Sequence, residues 1–177
     1  NPADWNALKF VASTGHLLNS YQGEELLDVF HQAEFTRARW DGLKPLRQEA
    51  FAVPEYVNAL LETVDVAAIR RRRFKVAVDC CNGACAESTT RFLSALGCEV
   101  VAINEEMGRP FPHDPEPTPD NMNQLRAMVK ASGADLGFAQ DAEGSRLGIV
   151  TEQWQALSEE HTLCIAVQMI PEGECGA

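Results

Sequence analysis

The 177 residues are 45% apolar and 23% charged, a profile that excludes a disordered chain and suits one ordinary domain, or one domain with pieces of its neighbours. Fifteen Lys and Arg stand against 26 Asp and Glu, and the net charge of −11 argues against nucleic acid or an anionic membrane as partner. No apolar run approaches the roughly 18–20 residues of a bilayer span, and Asn1-Pro2-Ala3-Asp4 reads as neither a signal nor a transit peptide.

In chain order, Leu8 to Val11 reads as a short strand. Glu24 to Arg39 reads as a helix that turns Leu26, Leu27, Phe30 and Ala33 inward. Gly42 to Ala50 is linker-like, and Pro54 to Val64 begins a second helix. Phe74 to Asp79 is a short apolar strand ended by the loop signal Asn82-Gly83. Glu87 to Leu96 follows as a helix stopped by Gly97, and Cys98 to Ile103 as the next strand. The stretch 109–119 carries Pro110, Pro112, Pro115, Pro117 and Pro119, too stiff for a helix or a central strand. Thr118 before Pro119 predicts an N-cap and first-turn proline for a helix with Met122, Leu125, Met128 and Val129 on one face. Gly133 stops that helix. Leu136 to Ala139 and Leu147 to Val150 are two further strands, with a polar loop between them, and Glu159 to Ile170 is a last helix.

This order predicts an α/β fold: a mixed, mostly parallel sheet of about four strands sandwiched by helices, with function at the strands' carboxyl ends. Six cysteines without paired CxxC spacing predict reduced thiols, hence a cytoplasmic protein. The run Arg70 to Arg73 predicts a solvated helix end whose cations suit the C-terminal dipole.

The chemistry concentrates in Asp141-Ala142-Glu143-Gly144-Ser145-Arg146. Three oxygen side chains at alternate positions in a turn can converge on a small hard cation, and Mg²⁺ prefers carboxylate oxygen with phosphate. An acidic turn without a ligand is the plainer alternative. A calcium loop fails, because Arg146 stands where such a loop needs Gly.

Five ordered motifs precede this loop. They are Asn1-Pro2-x-x-Trp5-Asn6-Ala7-Leu8-Lys9-Phe10, Val78-Asp79-x-x-Asn82-Gly83-Ala84, Leu96-Gly97-x-Glu99-Val100, Phe111-Pro112-His113-x-Pro115-Glu116-Pro117-Thr118-Pro119 and Gly133-Ala134-Asp135-Leu136-Gly137-x-Ala139. Together with the acidic loop they resemble the α-D-phosphohexomutases, the phosphoglucomutase/phosphomannomutase family, along nearly the whole chain. The resemblance implies phosphoryl transfer on a hexose phosphate substrate, through a phosphoserine and a bisphosphate intermediate, with Mg²⁺ as cofactor. It implies that Asp141 and Glu143 are metal ligands with Ser145 at the third metal position. Arg146 would contact the phosphoryl group, and Lys9 would be a cation and candidate proton shuttle near it. It also implies a parse into the end of a first domain over 1–48, a second domain over 49–155 and the opening of a third over 156–177.

The departures matter equally. The family's loop reads Asp-x-Asp-x-Asp-Arg, so Glu143 keeps charge on a longer arm and Ser145 removes one negative charge. Ala7 replaces the usual Gly beside Lys9. The family's nucleophilic Ser would precede Asn1 and its sugar-recognition domains would follow Ile170. The chain alone is therefore expected to be inactive, with a weakened or absent metal site. A non-catalytic paralogue or scaffold that keeps the fold is the alternative. The choice among hexose phosphates is not legible here.

Overall fold

The computed structural model describes Asp4, residues 7–33 and residues 35–169. Within the first motif, the Asn1-Pro2 and Trp5-Asn6 pairs lie outside the described residues, as does the tail from Ile170. The chain divides into two compact units, one over Asn6–Glu49 and one built mainly from Ala50–Ala177.

The smaller unit corrects two expectations. Its helix α1 runs Ser20–His31, not Glu24 to Arg39. Asn19 starts it with a capping box: its side chain accepts the Gln22 N–H at 2.9 Å, and Gln22 returns a contact to the Asn19 N–H at 3.1 Å. Ala33, at φ 55°, has left the helix. The apolar face is not inward: Leu27 and Phe30 are 54% and 67% exposed, and α1 buries no residue. The expected strand at Leu8 to Val11 reduces to one bridge between Val11 and Leu17.

The larger unit opens with α2 (Ala52–Glu62) and α3 (Val66–Arg72), followed by β1 (Lys75–Asp79), α4 (Ala86–Ala95) and β2 (Glu99–Ile103). After the proline-rich strap come α5 (Asn123–Ser132), β3 (Leu136–Gln140), β4 (Leu147–Val150), β5 (Ala156–Leu157) and α6 (Glu159–Met169). The strand order is β2-β1-β3-β4-β5. β1 is parallel to both neighbours, whereas β4 is antiparallel to β3 and to β5. Four strands thus point one way and β4 the other, a mixed, mostly parallel sheet with a two-residue fifth strand beyond the four expected.

Helices cover both faces. Ala77 of β1 and Ala139 of β3 pack with Met122, Leu125 and Val129 on the α5 side. The alternate residues Val76 and Val78 pack with Ala86 and Leu93 on the α4 side. This is why β1 reads as a continuous apolar run: a central strand covered on both faces has no polar side to show. Gly137 permits the close fit, since a Cβ there would lie 2.7 Å from Val129 Cγ2. Arg70 is more than a solvated cation, because its guanidinium donates from Nη2 and Nε to the Ala95 carbonyl at 2.7 and 3.2 Å and closes the end of α4.

The expected cap at Thr118 is also corrected. Thr118 N–H donates to the Glu116 carbonyl at 2.8 Å and Asn121 N–H to the Thr118 carbonyl at 3.0 Å. That turn consumes the residues around Pro119, and α5 begins about one helical turn later, at Asn123. Its C-terminus is as the sequence predicts, with Gly133 at φ 64°.

Because β1, β2 and β3 are parallel, Asp79, Ile103 and Gln140 end on one edge of the sheet. The strap crosses this edge and is tied to it. Asp79 is 1% exposed and accepts Cys81 N–H at 3.0 Å, Asn104 Nδ2 at 2.9 Å and His113 Nε2 at 2.9 Å. His113 Nδ1 lies 2.8 Å from the Asp114 carbonyl. A carbonyl and an ionised carboxylate only accept, so both ring nitrogens must carry protons to serve both contacts. The hydrogen bond to Asp79 therefore pushes the His113 pKa up, against the opposing effect of burial.

Two predictions follow from this packing. A Cβ at Gly83 would stand 2.5 Å from the Ala142 carbonyl oxygen, a backbone atom that cannot swing aside. Gly83→Ala should destabilise by roughly 1–3 kcal/mol in urea unfolding, and an unchanged midpoint would refute the contact. The stability that His113 contributes should be fully present below about pH 6.5 and fade as pH rises through its raised folded pKa. An imidazole NMR titration should give a midpoint above 6.5 that falls in Asp79→Asn, and His113→Gln should flatten the corresponding loss of stability.

Candidate functional site

Asp141 to Arg146 form the loop that joins β3 to β4 on the sheet edge just described. Its shape follows from one carboxylate. Asp141 is 3% exposed, and a buried carboxylate needs donors. Oδ1 accepts the backbone N–H of Ser145 at 2.7 Å and of Arg146 at 3.1 Å, while Oδ2 accepts the Ser145 hydroxyl at 3.1 Å. Gly144 N–H returns to the Asp141 carbonyl at 3.1 Å. Gly144 itself sits at φ 72° where a Cβ would be 2.2 Å from Cys85 Sγ, so only glycine serves. The β1–α4 loop forms the floor: Ala84 N–H donates to the Ala142 carbonyl at 2.9 Å, and Gly83 lies flat against it.

The structure brings Asp141, Glu143, Ser145 and Arg146 together on this loop. Glu143, Ser145 and Arg146 are exposed at the strand end as expected, and Asp141 is turned inward. Lys9 belongs to the smaller unit, where it is exposed. The Ser145 hydroxyl lies 3.1 Å from Asp141 Oδ2 and 3.2 Å from Glu143 Oε1. One hydroxyl has one proton and cannot donate to both at once, so three hard oxygens crowd a point that a single proton serves. Such a donor set fits a small oxygen-seeking cation, with two carboxylate charges rather than three. Among the described residues no group of three or more His, Cys, Asp or Glu side chains is placed to hold a metal ion.

Arg146 shows two partners that sequence reasoning missed. Its Nη1 pairs with the Glu116 carboxylate of the strap, and its Nε lies 3.5 Å from Glu159 Oε2 at the start of α6. Glu116 first, then Glu159, raise its pKa above the ordinary arginine value, at which the group is already protonated. The available signal for Glu116 was its place between Pro115 and Pro117. Cys80 and Cys81 sit beside the site without offering a nucleophile, because burial pushes their thiols up to about 12 and about 11.

Known proteins share this sequence pattern and fold. Residues 54–154 match the family model described as phosphoglucomutase/phosphomannomutase, alpha/beta/alpha domain II. A phosphoglucomutase/phosphomannomutase of Thermococcus kodakarensis is 33% identical over 171 residues, which are 96% of this chain and 37% of that protein. A phosphoglucosamine/phosphogalactosamine mutase of Sulfurisphaera tokodaii is 32% identical over 148 residues, 82% of this chain and 32% of that protein. A crystal structure of a phosphoglucomutase/phosphomannomutase family protein from Burkholderia thailandensis superposes with a TM-score of 0.68 at 29% identity, covering 85% of this chain and 31% of that one. The chain spans about a third of the length of each. Match, motifs and strand-end loop agree, and the chain belongs to the phosphoglucomutase/phosphomannomutase family.

Proposed function

We propose that this chain is the central part of a cytoplasmic phosphohexomutase, which interconverts hexose 1- and 6-phosphates through a phosphoserine and a bisphosphate intermediate. The observation that supports it most is the loop 141–146, where two carboxylates and a hydroxyl gather beside a protonated arginine at the carboxyl ends of parallel strands. Phosphoryl transfer asks for positioning and charge neutralisation more than covalent chemistry from the protein. Arg146 offers its remaining guanidinium donors to phosphoryl oxygens, for which a planar group is suited. Asp141 holds the loop so that the backbone at Ser145 and Arg146 is fixed before substrate arrives. Lys9 is a candidate cation and proton carrier for the same reaction.

Charge makes a cation necessary in this reading. Glu116, Glu159 and Asp141 act on one guanidinium, Glu143 adds a further carboxylate on the same loop, and a phosphoryl group alone would be repelled. Asp141, Glu143 and Ser145 would hold Mg²⁺, which supplies Lewis-acid neutralisation of phosphoryl oxygens when bound. The serine donor is expected from outside these residues.

Activity is tested on the protein that carries this chain, with glucose, mannose and glucosamine 1-phosphates as substrates. Turnover is expected with at least one, and Arg146→Ala should lower kcat by about 10²–10³, the cost of removing one preorganised donor. No turnover with any hexose 1-phosphate would favour the scaffold alternative, for which the changed residues at 143 and 145 speak. Metal binding is read separately by calorimetry on the 177-residue chain. The unmodified loop should show no micromolar Mg²⁺ affinity, and Ser145→Asp should strengthen binding by roughly 10-fold or more. No gain with Asp would mean that the loop is not a weakened metal site.

A further inference from the structure

Glu116 is held with a care out of proportion to its exposure. Pro115 and Pro117 on either side are buried, while Glu116 itself is exposed. Two prolines fix their own φ and bias the residue between them toward an extended backbone. The Glu116 N–H donates to Asp114 Oδ1 at 3.1 Å. Its carbonyl accepts the Thr118 N–H at 2.8 Å and Asn121 Nδ2 at 2.9 Å. Just beyond, the Pro117 carbonyl oxygen lies so close to Gly148 of β4 that a Cβ there would come within 2.9 Å of it. Three residues earlier, His113 is bonded to buried Asp79 at the end of β1. The root of the Glu116 side chain is therefore anchored to two strands of the sheet.

All this fixes a carboxylate whose one visible task is to pair with Arg146 Nη1. The pair is about half exposed on both sides, 46% for Arg146 and 53% for Glu116, and such pairs add little to stability. Rigid placement of a group that contributes little stability makes sense if direction is what matters. A planar guanidinium held at Nη1 by Glu116 and approached at Nε by Glu159 has its plane set. Its Nη2 donors have no carboxylate partner among the described residues.

We infer that Glu116 is a positioning residue: it holds Arg146 through Nη1 and reserves the Nη2 donors for phosphoryl oxygens of the hexose phosphate. This rests on the phosphoryl-transfer reading and deepens it. The strap is then a brace for the arginine, carrying its orientation from β1 and β4 rather than from the loop on which Arg146 sits.

The test has two readouts. In the 177-residue chain, the Arg146 Nε–H signal, assigned by its loss in Arg146→Lys, should be dispersed and slow to exchange. Glu116→Ala should move it to the position of a free surface arginine, while the urea midpoint stays where it was. In the protein that carries this chain, Glu116→Ala should lower kcat about 10–100-fold, the scale of a misplaced reacting group, with KM changed less than about 3-fold. Glu116→Gln, which keeps length and an acceptor, should recover most of that loss. An unmoved Nε–H signal overturns the inference whatever the kinetics. So does wild-type kcat in Glu116→Ala, or a kcat loss that follows a lowered urea midpoint equally in both variants. Absence of turnover in the unmodified protein would overturn the phosphoryl-transfer reading instead, and the Nε–H signal alone would then decide whether Glu116 orients Arg146.

Discussion

A carboxylate removed from water must be met by donors, and the site is organised around the way Asp141 meets that requirement. It finds two backbone N–H groups and a hydroxyl within its own loop, at positions 145 and 146. Satisfying Asp141 thus fixes Ser145 and Arg146, the two residues to which the proposed chemistry assigns a part. Ser145 is drawn between two carboxylates, and Arg146 leaves the loop toward the strap and α6. Gly83 and Gly144 follow from the same constraint, since the folded loop lies against the β1–α4 connection with no room for a Cβ at either point. A charge that would be costly alone becomes the reason the loop has one shape.

Asp79 repeats the device one strand away. It too is buried at a strand end, and its donors come from three separate segments: Cys81, Asn104 and His113. Where Asp141 closes a local loop, Asp79 gathers distant ones and seats the strap across the sheet edge. The imidazole completes this network best when protonated, so a charged pair sits where the strap enters the site. Parallel strands make the arrangement possible, because they deliver both aspartates to the same edge.

This division explains what the sequence could and could not disclose. Strands β1 to β4 are legible because apolar runs between glycine and asparagine breaks have few other uses. The ends of α4 and α5 are legible because Gly97 and Gly133 adopt positive φ there. The inward face assigned to α1 failed because amphipathic spacing records a capacity for burial, and its unit leaves Leu27 and Phe30 exposed. Thr118 misled for a local reason: cap residues and turn residues are the same kind, and here the backbone spent them on a turn. Asp141, Glu143, Ser145 and Arg146 were visible as a cluster, since alternation within six residues needs no tertiary knowledge. Glu116 was not, because its partner lies 30 positions away and only the fold joins them.

The charge distribution sets the last condition. Around Arg146 the carboxylates outnumber the cation, in a chain whose net charge is already −11. Field alone would turn a phosphate away, so in the proposed reading recognition is local, by directed Arg146 donors and a hard cation, each effective over a few ångströms where charge-assisted hydrogen bonds are strong. The acidic surroundings then have a use of their own. In the proposed reading they limit the rotation of the guanidinium, so its orientation is set before substrate arrives, the condition under which electrostatic stabilisation is most effective. In the proposed site, Ser145 in place of the family's third aspartate removes one negative charge from the side assigned to the metal. Under that proposal, orientation of Arg146 carries a larger share of neutralising the phosphoryl group.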